Sequence, residues 1–159
     1  MQNPALNFLA GGWGLNVINT MTSGLPLNIT YSGTTQASLS TLTTPRPSLT
    51  GAPLYLTGGN PQYYLNAAAF SVPSYAQPWG TSPRNPVRLP AFYELDFGLH
   101  KKFPLGTEGR YLQFRAEAFN IQNKTNFAPP GTSANSSGFG VFSSTFAPRQ
   151  IQLALKLIF

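Results

Sequence analysis

The segment Arg-Gln-Ile-Gln-Leu-Ala-Leu-Lys-Leu-Ile-Phe, at positions 149–159, is the most regular stretch of the sequence. Apolar side chains alternate with polar or small ones along it, and Ile158 is the one exception. The apolar positions are Ile151, Leu153, Leu155, Leu157 and Phe159. A period of two puts successive side chains on opposite faces of a β-strand, so the segment predicts a strand with one continuous apolar face.

A terminal strand of this kind is typical of bacterial outer-membrane barrels rather than of soluble domains. The termini of soluble proteins usually fray, whereas the last strand of a membrane barrel closes the barrel. A terminal aromatic residue preceded by alternating apolar residues also resembles the signal that the barrel-assembly machinery reads. We therefore expect Phe159 and the four apolar residues that alternate before it to form the assembly strand.

The composition of the chain suits strands with one face in lipid and the other in a polar lumen. Only 9% of the 159 residues are charged and 13% are aromatic, whereas roughly a quarter of the residues of a soluble domain are charged. A secreted β-sandwich would share this composition. The ten Lys and Arg residues are scattered, which does not indicate nucleic-acid binding. The absence of cysteine excludes disulfides, thiolate metal sites and cysteine nucleophiles.

Neither a transmembrane helix nor an export signal is visible in the sequence. No run approaches about 18 consecutive apolar residues. Residues 1–4 lack the basic and apolar regions of a signal peptide. Because an outer-membrane protein must be exported, we expect this sequence to be the C-terminal piece of a longer protein.

Alternating patterns predict about five strands in an antiparallel meander, in which each hairpin pairs with the next. The predicted strands cover residues 12–22, 26–33, 92–103, 110–121 and the segment from Arg149 onward. The predicted fold is all-β, and residues 1–159 form one partial domain of a transmembrane β-barrel. The smallest natural barrels have about eight strands, so these strands alone are not expected to close.

The connections between the predicted strands alternate in length, and this alternation gives an orientation. Outer-membrane barrels have short periplasmic turns and long extracellular loops. Residues 23–25 and 104–109 are therefore expected in the periplasm. Residues 34–91 and 122–148 are expected to be long extracellular loops.

A hairpin between residues 92–103 and 110–121 would collect charged groups on one face. We expect Ala116 opposite Phe97 and Glu117 opposite Asp96. The shared face would then hold Glu94, Asp96, His100, Arg115 and Glu117. Such a group could be a metal site or a carboxylate acid–base pair, but we favour an ion network that lines the lumen, because charged residues there are common. No motif in the chain indicates an enzyme.

Four residues of the long segment 34–91 are candidate ligand contacts: Arg46, Trp79, Arg84 and Arg88. The arginines could bind an anionic ligand such as a ferric chelate or an acidic glycan. They could equally hydrogen-bond carbonyl groups inside a packed loop, which we favour. Trp79 could stack on a sugar ring together with the loop tyrosines, or it could anchor the packing of the loop.

Several segments together resemble the C-terminal barrel region of TonB-dependent outer-membrane receptors, in particular the Oar-like group with a carboxypeptidase-regulatory-like domain. The most specific is Leu-Gln-Phe-Arg-Ala-Glu-Ala-Phe-Asn at 112–120 with Asn-Lys-Thr-Asn-Phe at 123–127. The last is Pro-Arg-Gln-Ile-Gln-Leu-Ala-Leu-Lys at 148–156 with the terminal Phe159. Gly-Trp-Gly-Leu-Asn at 12–16, Ser-Gly-Leu-Pro-Leu at 23–27, Thr-Pro-Arg-Pro at 44–47 and Tyr-Leu-Asn-Ala-Ala-Ala-Phe at 64–70 extend the likeness in the same order.

The resemblance implies a barrel of about 22 strands with an N-terminal plug, located in the outer membrane of Gram-negative cells. The function it implies is uptake of a large nutrient, either a ferric chelate or an oligosaccharide, without a cofactor. Its partners would be outer-membrane lipid, the barrel-assembly machinery, and the TonB complex through an N-terminal region that these residues lack. Two alternatives stay open: a secreted β-sandwich that binds carbohydrate, and an outer-membrane adhesin or structural element.

Overall fold

A computed structural model describes residues 8–33, 44–106 and 109–159. These residues form two compact units. The sheet unit contains residues 8–22, 92–106, 109–125 and 147–159, and the loop unit contains residues 23–33, 44–91 and 126–146. Within these ranges, no helix is long and apolar enough to cross a membrane.

Eight strands, one short 3-10 helix, Ala67–Ala69, and helical residues at 8–10 make up the regular structure of the described residues. The strands are β1 (Trp13–Thr22), β2 (Pro26–Leu27), β3 (Ser48–Leu49), β4 (Phe70–Ser71), β5 (Val87–Arg88), β6 (Phe92–Pro104), β7 (Tyr111–Phe119) and β8 (Gln150–Ile158). The sheet unit is an open sheet of four strands in the order β1-β6-β7-β8, and every pair is antiparallel. The prediction of an all-β antiparallel fold is therefore confirmed.

The predicted strand at residues 26–33 is wrong. Only Pro26 and Leu27 pair with another strand, β5, and the partner of β1 is β6 instead. Two of its alternating apolar residues belong to the core of the loop unit: Ile29 is fully buried there, and Leu27 packs against it. A period-two pattern reports a buried face but does not say what buries it, so the sequence could not separate the two cases.

The loss of that strand changes the order of the connections. Residues 23–91 form one long connection, so the predicted periplasmic turn at 23–25 does not exist. The segment 120–149 is a second long connection, and residues 105–110 are the short one. Thr22 pairs with Phe92, and Phe119 pairs with Gln150. Both long connections therefore begin and end at the same end of the sheet. Of the segments predicted as loop or turn, 34–43 and 107–108 lie outside the described residues.

The register between β6 and β7 differs from the prediction by two residues. Phe97 pairs with Ala118 rather than Ala116, and Glu117 pairs with Gly98 rather than Asp96. A shift of one residue would move every side chain to the other face, but a shift of two preserves both faces. The assignment of residues to faces is therefore unaffected, while the individual pairs change.

The loop unit has a hydrophobic core of its own. Its buried residues are Ile29, Leu65, Ala69, Phe70, Val87 and Phe139. Beside them, the ring of Phe142 stacks on Phe127 and on Tyr64, with centroid separations of 4.6 and 5.0 Å. The strand pairs β2–β5 and β3–β4 are antiparallel, and two isolated bridges, Thr30–Ser133 and Gly131–Phe139, are parallel.

In the sheet unit, the Asn120 side chain holds the two ends of the second long connection together by hydrogen bonds. This side chain is 3% exposed and makes three hydrogen bonds to backbone: the amide nitrogen donates to the carbonyls of Lys124 and Ala147, and its oxygen accepts from the Lys124 N–H. The backbone N–H of Asn120 donates to Asp96 at 2.9 Å. Its φ of 48° lies in the left-handed region, which asparagine tolerates better than most residues.

We predict that Asn120→Ala destabilises the protein, by about 1–3 kcal/mol, because it leaves buried backbone groups without partners. Asn120→Gly should cost less than Asn120→Ala, since glycine accepts the left-handed conformation. Equilibrium unfolding by urea measures both changes. Gln122→Ala, at an exposed neighbour, is the matched control and should be close to neutral; equal effects of Asn120→Ala and Gln122→Ala would refute the role of Asn120.

Candidate functional site

One face of the four-stranded sheet, named here the apolar face, carries apolar side chains from all four strands. Directly paired residues share a face, and Leu99 pairs with Leu15 and Ala116, while Ala116 pairs with Leu153. The apolar side chains of this face are Trp13, Leu15, Val17, Met21, Tyr93, Leu95, Phe97, Leu99, Phe103, Leu112, Phe114, Ala116, Ala118, Ile151, Leu153, Leu155 and Leu157. Leu153 is 72% exposed. The prediction that the apolar residues of β8 are exposed and share a face with those of β6 and β7 is confirmed.

The length of the apolar face matches a membrane. On β6 it runs from Tyr93 to Phe103, which is roughly 33 Å along the strand at about 3.3 Å per residue. At the strand tilt of about 40° found in membrane barrels, that length corresponds to a band about 25 Å tall, which is the height of their lipid-facing band. An exposed apolar surface of this extent marks an interaction surface rather than an ordinary protein exterior.

Aromatic residues lie at both ends of the apolar face. Tyr93 is at the end of the long connections, and Trp13 and Phe103 are near the end of the short turn. Phe159 is 94% exposed. Two other tyrosines are not on this face: Tyr31 is in the loop unit, and Tyr111, the first residue of β7, faces the polar side, where its ring lies 4.9 Å from Lys102 Nζ.

Lys101 is a buried cation on the apolar face that was absent from the predicted site residues. It pairs with Trp13 on one side and Phe114 on the other, and it is 2% exposed. The sequence contains a signal for it, because the alternation of β6 places a charged residue at a position where an apolar one is expected.

The five predicted lumenal residues share the opposite face of the sheet, named here the polar face. Arg115 pairs across strands with His100, and its Nη2 lies 3.2 Å from Glu117 Oε1. Both partners of this ion pair are substantially exposed, so it contributes about 0–1 kcal/mol. Asp96 accepts the Asn120 N–H instead of facing Glu117. In the described parts of the chain, no three His, Asp or Glu side chains converge to hold a metal ion.

Two glycines shape the polar face. Gly98 lies between Asn16 and Glu117 and leaves an open cavity of about 140 Å³ that Asp96, Ile18 and Phe119 also line. At Gly14, any side chain would collide with the His100 imidazole across the strand pair. The His100 ring therefore occupies the space that a side chain at position 14 would fill.

Of the four candidate ligand contacts in the loop unit, Arg88 has a structural role. Its Nη1 donates to the Gly24 carbonyl at 3.2 Å, and its own carbonyl accepts the Tyr64 hydroxyl at 2.6 Å. Burial and, secondly, the neighbouring Tyr55 raise the pKa of Tyr64, which keeps this hydroxyl a donor. Hydrogen bonding of a carbonyl by Arg88 agrees with the interpretation favoured from sequence.

The other three candidates have more open surroundings. Trp79 is 48% exposed, Arg84 is exposed and Arg46 is half-buried. Gly80 packs against the Arg46 carbonyl, and the Ser82 N–H donates to the Pro47 carbonyl. The structure thus brings the segments of Arg46 and Trp79 together. Their contact with a ligand stays a prediction.

A comparison with known protein families identifies the chain. The family model described as an outer membrane beta barrel domain matches residues 1–152. No curated protein and no solved structure matches the chain. The chain therefore belongs to the outer membrane beta barrel domain family, and its location is the outer membrane of Gram-negative bacteria.

Proposed function

We propose that this chain supplies wall strands and extracellular loops of a TonB-dependent receptor that takes up a large nutrient, either a ferric chelate or an oligosaccharide. One observation carries the proposal. Both long connections begin and end at the same end of a sheet of membrane length, and residues of both fold into a unit with its own core. A folded unit built from barrel loops suits capture of a ligand outside the cell, since binding residues are concentrated on loops held by a rigid scaffold.

The open sheet supports a place in a larger barrel. Among the described residues, the outer edges of β1 and β8 have no strand partner. Membrane barrels have no free edges, and the smallest have about eight strands. The four strands would therefore be completed by others, with the plug and the contact with the TonB complex in an N-terminal region other than residues 1–159. The exposed apolar residues of β8 count against a secreted β-sandwich, in which a second sheet would bury them.

The first test concerns the lipid-facing assignment. We predict that Leu153→Lys destabilises the full receptor in the membrane by about 2–4 kcal/mol, since the residue lies midway along the apolar face. Gln152→Lys, on the same strand but on the polar face, should change stability by less than about 0.5 kcal/mol. Urea unfolding from phospholipid vesicles measures both. Similar losses for the two variants would show that the faces are assigned wrongly.

The second test concerns the loop ligand. We predict that Trp79→Ala or Arg84→Ala in the full receptor weakens ligand binding about tenfold or more, or about 1.4 kcal/mol, while the barrel still inserts. Arg88→Ala is the comparison, because it loses a structural hydrogen bond and should lower the stability of the loop unit rather than affinity alone. Titration with panels of ferric chelates and oligosaccharides provides the affinities. Unchanged affinity for every bound ligand in both variants would remove these residues from the site.

The third test concerns assembly. We propose that the barrel-assembly machinery reads β8 and Phe159. The ring of Phe159 contributes about 1.5–3 kcal/mol of lipid burial at most, which is too little to account for loss of a whole barrel. Phe159→Ala in the full receptor should therefore reduce the amount of heat-modifiable, membrane-integrated protein, and leave ligand binding per folded molecule unchanged. Normal insertion with weaker binding would contradict this role.

A further inference from the structure

We propose that residues 8–13 form a membrane-interface anchor, held against the apolar face by Lys101, that docks onto the phospholipid leaflet at the short-turn end of the sheet. The proposal rests on the lipid-facing assignment of the apolar face made above. It adds a second membrane-binding element that is not a strand and gives a role to the buried cation of that face, Lys101.

Backbone carbonyls and aromatic rings surround the Lys101 ammonium group. Its Nζ donates to the carbonyls of Phe8 and Leu9 at 2.6 and 2.7 Å. The same atom lies 5.1 Å from the centre of the Trp13 ring and 4.9 Å from that of Phe103. An ammonium has three protons to satisfy. Two carbonyls and two aromatic faces satisfy them without any contact to solvent, which explains why a charge is tolerated on this face.

The segment that supplies these carbonyls is a helical stretch just before β1. Residues 8–10 are helical, and carbonyl groups at the end of a helix need external donors. Lys101 provides two donors, and the indole Nε1 of Trp13 donates a third hydrogen bond to the Leu9 carbonyl at 3.1 Å. Gly12, with a φ of 72°, turns the chain from the helical residues into β1, as glycine commonly does after a helix.

The hydrogen bonds to Lys101 and Trp13 leave an apolar surface exposed on residues 8 and 9. With the carbonyls occupied, the exposed side chains of residues 8 and 9 are apolar: Phe8 is 47% exposed and Leu9 is 65% exposed. The Phe8 ring also contacts Phe103, with 5.5 Å between ring centres. This surface joins the apolar face at Trp13 and Phe103, so the lipid that covers the sheet would cover the anchor as well.

The position of Trp13 along the strand indicates that the anchor contacts the interfacial region of the membrane. Trp13 pairs with Lys101, and Phe103, the last apolar residue of β6, follows two residues later. Trp13 is therefore roughly 7 Å from that end of the apolar face, measured along the strand. Tryptophan prefers the boundary between headgroups and acyl chains because its ring is amphipathic. The partner is therefore phospholipid at this boundary, and the helical residues would lie along the membrane surface with Phe8 and Leu9 directed into it.

Spin labelling tests the anchor, because the 159 residues contain no cysteine. A label at Leu9→Cys is placed in the full receptor, freed of any other cysteine and reconstituted in phosphatidylethanolamine–phosphatidylglycerol vesicles. Its accessibility to oxygen, which enters lipid, is compared with that to a water-soluble nickel chelate. Leu153→Cys is the lipid reference, and Tyr75→Cys, at a residue 88% exposed in the loop unit, is the aqueous reference. We expect the Leu9 label about 5–10 Å into the headgroup and acyl boundary.

Adding Lys101→Gln tests the attachment of the anchor, with Lys102→Gln as the matched control on the polar face. Lys101→Gln should shift the Leu9 label toward the aqueous reference, and Lys102→Gln should leave it in lipid. If Lys101→Gln does not insert, Trp13→Phe, which removes only the indole donor, should produce a smaller shift in the same direction.

Three outcomes would overturn the proposal. A Leu9 label as accessible to the nickel chelate as the Tyr75 label would place the anchor in water. A Leu9 label shielded from both reagents would show that protein rather than lipid covers it. A label that stays in lipid in both Lys101→Gln and Trp13→Phe would show that neither residue holds it. In each case a Leu153 label in lipid would leave the proposed function standing, whereas a Leu153 label in water would refute that function itself.

Discussion

The backbone of a strand that crosses a membrane has no water with which to hydrogen-bond, so every N–H and C=O group must find a partner in the protein. The sheet unit satisfies this constraint by antiparallel pairing of β1, β6, β7 and β8. The same pairing assigns side chains to faces, since paired residues share one. The three ladders of hydrogen bonds thus produce the apolar face, the polar face and the common end from which both long connections leave.

The constraint also explains the polar groups that the sheet unit contains away from its ladders. Asn120 occupies the backbone groups where the second long connection leaves β7. Lys101 and Trp13 occupy the carbonyls of the helical residues 8–9. In each place a side chain hydrogen-bonds backbone groups that strand pairing cannot reach. Asn120 and Lys101 are buried, whereas Trp13 is exposed.

The parts of the fold that depend on period and side-chain chemistry were predictable from the sequence, and the parts that depend on the choice of partner were not. The alternation at 149–159 identified β8 and its apolar face correctly. An equally clear alternation at 26–33 led to the wrong conclusion, because Ile29 faces a protein core and not lipid. The charged residues of β6 and β7 were placed on the right face, but their pairs were wrong by two residues, since the length of the turn could not be fixed. Lys101 was overlooked even though it interrupts the alternation. The roles of Arg46, Trp79 and Arg84 stay predictions.

The even number of strands in the sheet determines where the chain enters and leaves it. Because the number of strands is even, β1 and β8 run in opposite directions, and the chain enters and leaves the sheet at the same end. Such a block can be inserted into an antiparallel ring, or removed from it, without reversing the direction of any other strand. Duplication of a unit of this kind would enlarge a pore in steps while keeping every long loop on the same side of the membrane. The sheet is in this sense a module by which barrels of different circumference can evolve.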